Sequence, residues 1–164
     1  MLVTKLNKQY DANKIFAELT KLEKNNVWGE ITNLSYSFSV SSRDGTTTDG
    51  AKAFAGDERK FKILEMYKGT YILEVIKDLN ITCGRIRFLK MLPGHIMKMH
   101  FDPSIRYHIP IITNPYCGFL DEDLNTHTMN QPGSLYKLDA TEVHSAFNCS
   151  SNEERIHLVV VEAY

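Results

Sequence analysis

All six histidines of this 164-residue chain lie between His95 and His157, and their neighbours decide which of them can do chemistry. The sharpest unit is His100-Phe101-Asp102. In an extended strand, residues i and i+2 project to one face, so this imidazole and carboxylate can converge on one metal ion. Two ligands do not close a site. His144, 44 residues after His100 at the end of the strand-like run ATEVHSAFN, supplies a third. Two histidines and a carboxylate on one face of an octahedron, with three positions open, make the arrangement with which non-haem Fe(II) activates oxygen. Zinc in a hydrolase is the competing reading, although no HExxH spacing appears. An HxD tripeptide arises often by chance, so its surroundings carry the weight.

Those surroundings contain two arginines at informative places. Arg155, eleven residues after His144, opens the run RIHLVVV, whose alternation puts Arg155, His157, Val159 and Val161 on one face. A guanidinium directed into otherwise apolar β-structure needs an anionic partner, because a buried unpaired charge is costly. A carboxylate cosubstrate held bidentately would be that partner. Arg106 and His108 form another i, i+2 pair, with Ile109 and Ile111 facing the other way, and can hold a second carboxylate near the metal. His95 and His157 read as structural histidines and His127 as solvated in a polar loop. Asn148 reads as fixing the turn before the last strand.

The elements that must position these groups follow from periodicity. From about Asp11 to Asn25, apolar Ile15, Phe16, Leu19 and Leu22 recur at helical spacing. The segment from Val27 to Val40 alternates like a strand, and SSRDGTTTDG after it reads as a long exposed loop. FKILEMYKGTYILEVIKDLN reads as one or two helices broken at Gly69. After Asn80 come the strand-like runs GRIRFLKML, HIMKMHFD, RYHIPIIT, SLYKLD, VHSAFN and RIHLVVVEA, punctuated by turn formers. Helices followed by regularly spaced strands predict a mainly β domain, a sandwich or barrel braced by a helical N-terminal half. Asp121 to Gly133 reads as a long loop, and with Ser41 to Gly56 it is a candidate substrate lid.

Composition narrows the function classes. With 43% hydrophobic residues the chain can bury one core, so residues 1–164 read as a single domain, 1–80 as helical and loop support and 81–164 as the motif-bearing part. Nineteen basic against twenty acidic residues leave no basic excess to follow a phosphate backbone, which argues against nucleic acid as a partner. No apolar run approaches the roughly 20 residues of a membrane helix. The N-terminal MLVTKLNKQYDANK carries charge where a signal peptide would be apolar, so a cytoplasmic location is expected. Cys83, Cys117 and Cys149 contain no CxxC and predict neither a disulfide framework nor a zinc site.

The runs RFLKMLPGHIMKMHFDPSIRYHIPIITNP and GSLYKLDATEVHSAFNCSSNEERIHLVVVEA together resemble the aspartyl/asparaginyl β-hydroxylase family of Fe(II)- and 2-oxoglutarate-dependent oxygenases. The likeness covers about half the chain, from Arg85 to Tyr164. It rests on an ordered set: the leucine-proline-glycine turn, HxD six residues later, RxHIPI, a histidine followed by Asn148, and an arginine opening a terminal apolar strand. It implies a double-stranded β-helix, a cupin-like jelly roll, with His100, Asp102 and His144 as iron ligands. It further implies Arg155 on the distal carboxylate of 2-oxoglutarate, with Arg106 and His108 near the chelating one. Where some relatives place a serine to assist that arginine, this chain has Leu89. The implied reaction uses O2 and 2-oxoglutarate to hydroxylate an unactivated C–H bond of a peptidyl or amino-acid substrate, releasing succinate and CO2. Two other readings remain open at this point: a cupin-type metal enzyme that does not use 2-oxoglutarate, and a non-catalytic binding module.

Overall fold

Local chemistry sets where each helix begins and ends. The computed structural model describes residues 1–164. After strand β1 (Val3–Gln9), Asp11 starts helix α1 (Ala12–Glu23) by accepting the N–H of Lys14 with its side chain, which satisfies a donor that a helix start leaves open. Strands β2 (Gly29–Thr32), β3 (Ser35–Ser39), β4 (Ser41–Ser42) and β5 (Lys62–Ile63) follow. Gly69, at φ +73°, turns the chain into Thr70, whose hydroxyl caps helix α2 (Tyr71–Leu79). Glu18 of α1 accepts the N–H groups of Tyr71 and Ile72, which ties the two helices together.

The rest of the chain is strands: β6 (Cys83–Met91), β7 (His95–Ile96), β8 (Arg106–Ile112), β9 (Cys117–Asp121), β10 (Thr126–His127), β11 (Ser134–Leu138), β12 (His144–Asn148) and β13 (Arg155–Glu162). They form a seven-stranded sheet ordered β1-β11-β8-β13-β6-β3-β2 and a four-stranded sheet ordered β10-β9-β12-β7. Neighbouring strands are antiparallel throughout. From β6 onward the chain switches sheet at every strand except between β9 and β10, which gives the strand orders β11-β8-β13-β6 and β10-β9-β12-β7 of an eight-stranded jelly roll.

The two faces of the larger sheet have different jobs, and the period of two assigns them. Ile86 and Phe88 on β6, Ile109 and Ile111 on β8, and Ile156, Leu158 and Val160 on β13 join Ile15, Leu19, Ile72 and Val75 of the helices in the main core. The alternate residues of the same three strands, Arg85 and Arg87, Arg106 and His108, Arg155 and His157, line a cavity of about 530 Å³ between the sheets. A second apolar cluster, built on Met91, Phe119, Leu138 and Ala146, closes part of that interior. No helix is long and apolar enough to cross a membrane.

Several expectations are corrected. The N-terminal half is not helical: it supplies β1, β2 and β3 to the larger sheet beside two short helices, because strand pairing with β11 and β6 outweighs the weak local signals. The SSRDGTTTDG stretch, Ser41 to Gly50, is not an exposed loop throughout, since Ser41, Ser42, Asp49 and Gly50 are buried and Asp49 is forked by Arg43. Asp121 to Gly133 contains β10, paired with β9, a strand that its sequence leaves unmarked. His100 and Asp102 lie beyond β7 rather than within a strand.

Candidate active site

Asp102 and two imidazoles meet at one end of the cavity. His100 pairs with His144, the first residue of β12, through reciprocal backbone hydrogen bonds of 2.9 and 2.8 Å. Asp102 is fixed by its own N–H, 2.7 Å from the Ala140 carbonyl. The Asp102 carboxylate Oδ2 then lies 3.6 Å from His100 Nε2 and 3.8 Å from His144 Nε2. One donor atom from each of the three residues falls within 4.8 Å of the others. Both imidazoles donate Nδ1–H to backbone carbonyls, of Lys98 at 2.8 Å and Glu142 at 2.9 Å, so each Nε2 presents a lone pair. Burial pushes the His144 pKa down, and the neighbouring His100 adds to this, which keeps the ring neutral.

Three electron-rich atoms therefore face one another. Asp102 Oδ2 is buried and has no hydrogen-bond partner. Its other oxygen, Oδ1, is held by Arg106 Nη2 at 2.5 Å, which orients the carboxylate toward the histidines. A divalent cation fits this donor set, because it would relieve the repulsion among two lone pairs and an anion. Arg106 is thus engaged by Asp102, with its Nε buried and free.

The other end of the cavity is built for an anion. Arg155, at the head of β13, is 4% exposed and has no carboxylate partner. Its Nη1 lies 2.9 Å from Met91 Sδ, its Nε donates to His157 Nε2 at 3.1 Å, and its guanidinium stands over the Phe119 ring. Burial pushes the Arg155 pKa down to about 10. Both ring nitrogens of His157 face donors of Arg155, Nε2 at 3.1 Å from Nε and Nδ1 at 3.1 Å from Nη2, and Nδ1 also lies 3.3 Å from His108 Nδ1. His108 Nε2 is buried and unpartnered in the wall of the cavity. Burial and the nearby arginines push both histidine pKa values well down, which excludes an imidazolium in either place.

All six residues singled out from sequence, His100, Asp102, Arg106, His108, His144 and Arg155, line this one cavity. His157, read as structural, also lines it. His95 does not, and is paired along β7 with Asn148. His127 is bound by Asp121 at 2.9 Å rather than solvated, and holds that carboxyl down at about 2. Asn148 ties the turn before β13 to β6 by donating to the Met91 and Glu153 carbonyls. Sequence reasoning missed Arg85 and Arg87, although GRIRF carries the same i, i+2 basic signal as RYH. Of the two candidate lids, Ser41 to Gly56 contributes Lys52, Ala53 and Phe54 to the cavity wall.

The fold is that of 2-oxoglutarate-Fe(II) oxygenases. The chain is similar to an oxidoreductase of the 2OG-Fe(II) oxygenase family from Burkholderia pseudomallei, with a TM-score of 0.61 at 14% identity over 98% of this chain and 84% of that one. It is similar to a Pseudomonas putida prolyl-4-hydroxylase, with a TM-score of 0.57 at 12% identity over 99% and 92%. It is also similar to HygX from Streptomyces hygroscopicus, solved with nickel, 2-oxoglutarate and hygromycin B bound, with a TM-score of 0.58 at 7% identity over 98% and 82%. No curated protein matches the chain in sequence. A family model described as aspartyl/asparaginyl β-hydroxylase matches residues 57–161. The chain belongs to that family, and it is a hydroxylase.

Proposed function

We propose that this protein is an Fe(II)- and 2-oxoglutarate-dependent dioxygenase that hydroxylates an unactivated C–H bond of an aspartyl, asparaginyl or other amino-acid side chain, with release of succinate and CO2. The observation that carries the reading is the buried, unpartnered Asp102 Oδ2 between two imidazoles whose Nε2 lone pairs both face it. His100, Asp102 and His144 would hold the metal. When bound, Fe(II) with 2-oxoglutarate and O2 supplies the oxidising chemistry, which no side chain of the protein could provide.

The chain's own residues bind, orient and exclude water. Arg106 fixes the Asp102 carboxylate through Oδ1 and leaves Oδ2 for the metal. Arg155 would take the distal carboxylate of 2-oxoglutarate as a charge-assisted pair in a site sealed from solvent, where such a pair is strongest. His108, whose Nε2 is buried without a partner in the cavity wall, would lie at the cosubstrate's chelating end. The neutral state of His108 and His157 keeps Arg155 the dominant positive charge at the distal end. No general base is assigned, because the hydroxylation needs none. Residues 1–164 act as one unit in this proposal, since β3 borders β6 and the Lys52 to Phe54 segment covers the cavity.

The test needs no knowledge of the substrate. Fe(II) and then 2-oxoglutarate are added anaerobically to metal-free protein, and the weak visible charge-transfer absorption of a keto acid chelated to iron is recorded. The band is expected in the wild type and absent in His100→Ala, Asp102→Ala and His144→Ala, with iron binding lost. Iron uptake without a band would overturn the cosubstrate assignment and favour a cupin-type enzyme that works without a keto acid.

A further inference from the structure

Two arginines in the cavity have no work in the reading above. Arg85 and Arg87 stand two residues apart on β6, both more than nine-tenths buried, and line the same cavity as Asp102 and Arg155. Arg85 has Glu58 as its only carboxylate neighbour, 3.8 Å from Nη2, and that side chain spends its other oxygen on the Arg85 backbone N–H at 2.8 Å. Arg87 has no carboxylate at all, only the Gly50 carbonyl. The Nε atoms of both are buried without an acceptor. The other carboxylates nearby are taken, Asp49 by Arg43 at 2.6 and 3.0 Å, and Asp102 by Arg106.

A guanidinium keeps its proton even when burial weakens it, so Arg87 is an uncompensated positive charge in a low-dielectric space, and Arg85 is opposed only by the distant oxygen of Glu58. The proposed cosubstrate does not balance them. One of its carboxylates belongs to Arg155, the other to the metal and His108, and a divalent metal opposed by the single Asp102 carboxylate adds positive charge of its own. The surrounding structure aims Arg87 rather than neutralising it. A Cβ on Gly50 would come within 2.8 Å of the Ser37 and Ser39 hydroxyls and 3.3 Å of Arg87 Cδ, so only a glycine lets this backbone carbonyl reach the guanidinium. Lys52, at the same wall, is drawn off by Asp44 at 2.5 Å.

Resting on the oxygenase reading, we propose that Arg85 and Arg87 clamp an oxyanion of the substrate. The molecule that is hydroxylated then carries a carboxylate or a phosphate group against these two guanidinium groups. The planar donor fork of each suits bidentate capture of either oxyanion. Among amino-acid side chains this selects aspartyl over asparaginyl, since a neutral amide leaves the Arg87 charge uncompensated and places its NH2 against donors.

The experiment is a calorimetric titration of protein loaded with Mn(II) and 2-oxoglutarate, which occupies the cosubstrate site without turnover. The three probes are N-acetyl-aspartyl-N-methylamide, its asparaginyl counterpart and inorganic phosphate. One oxyanion per chain is expected to bind, with the asparaginyl compound at least tenfold weaker. Arg85→Gln and Arg87→Gln should each weaken the oxyanion at least tenfold while 2-oxoglutarate affinity stays within twofold. Tighter binding of the aspartyl compound names a carboxylate as the source, and tighter binding of phosphate names a phosphate ester. Arg87→Gln should not melt below the wild type, because no ion pair to Arg87 is lost, and Arg85→Gln should lose only its long contact with Glu58 and still fold; a variant that does not fold would make its arginine structural and overturn its place in the clamp. Uptake of 2-oxoglutarate with no second oxyanion, or oxyanion binding that survives in both variants, overturns this inference alone. A wild type that takes up no 2-oxoglutarate overturns the oxygenase reading and this inference with it.

Discussion

Around Arg155 every contact is polarisable or dipolar and none is negative: the Met91 sulfur, the His157 ring and the Phe119 face. Such a group is poised for an incoming carboxylate, and its loss should be read in cosubstrate binding more than in turnover. Hydrogen bonds to a charged group contribute about 1.5–3 kcal/mol, which at about 1.4 kcal/mol per decade is roughly a ten- to hundredfold effect. Arg155→Gln is therefore expected to raise the KM for 2-oxoglutarate by about that factor, measured by steady-state titration of the cosubstrate, and an unchanged KM would place the anchor elsewhere. The position of Arg155 was legible because alternation in RIHLVVV assigns its face from local order alone. Its partners were not. Met91 and Arg155 are opposed across β6 and β13, and His157 takes the side where Leu89 offers no hydroxyl, and such cross-strand register depends on pairing rather than on any one segment. The same blindness hid Arg87, whose lack of a carboxylate is a fact of three dimensions.

Elements decide how firmly the site is held, and Asn148 shows it at the end of β12. Its side chain is fully buried, donates to the Met91 and Glu153 carbonyls at 3.1 and 2.9 Å, and accepts from Asn114 at 3.2 Å. It thus joins β6, the Asn114 turn and the loop into β13, the strand that carries Arg155. Asn148→Ala leaves several buried partners unsatisfied and is expected to cost about 2–4 kcal/mol. In urea the midpoint should fall with the slope unchanged, and a loss below about 0.5 kcal/mol, the size of an ordinary surface substitution, would show the turn to be held by other contacts. The long, regular elements were readable: α1 from its apolar spacing, and β6, β8 and β13 from alternation. The short ones were not. β1 is charged and mostly exposed along its length, and β9 and β10 are brief, so their identity comes from the neighbours they pair with. His100 and Asp102 converge without a strand around them, because a single bridge to His144 and one bond to Ala140 do the positioning.

Over the whole molecule the formal charge is −1, yet the cavity is lined by four arginines and one aspartate, so composition alone hides where the charge sits. This separation has a consequence for stability. His108 and His157 are buried beside Arg155 with no carboxylate partner of their own, and burial followed by the nearby arginine holds both folded pKa values well below the ordinary histidine range. His144 is pushed the same way in metal-free protein. The unfolded chain takes up protons at these residues near pH ~6.5 while the folded chain does not, so protonation favours the unfolded state. Stability is then level above that pH and falls as pH drops through it, with a slope of up to about 1.4 kcal/mol per pH unit for each histidine. The carboxylates act in a separate window. Asp49, lowered first by its bond to Arg43, adds stability that is present above the usual carboxylate pKa and lost only in stronger acid. Urea midpoints of metal-free protein between pH 7.5 and 5 should therefore decline with acid, and His157→Gln should flatten the decline by about one histidine's share. Midpoints that stay level over that range would mean that the folded protein protonates its buried histidines, which the concentration of arginines around them opposes.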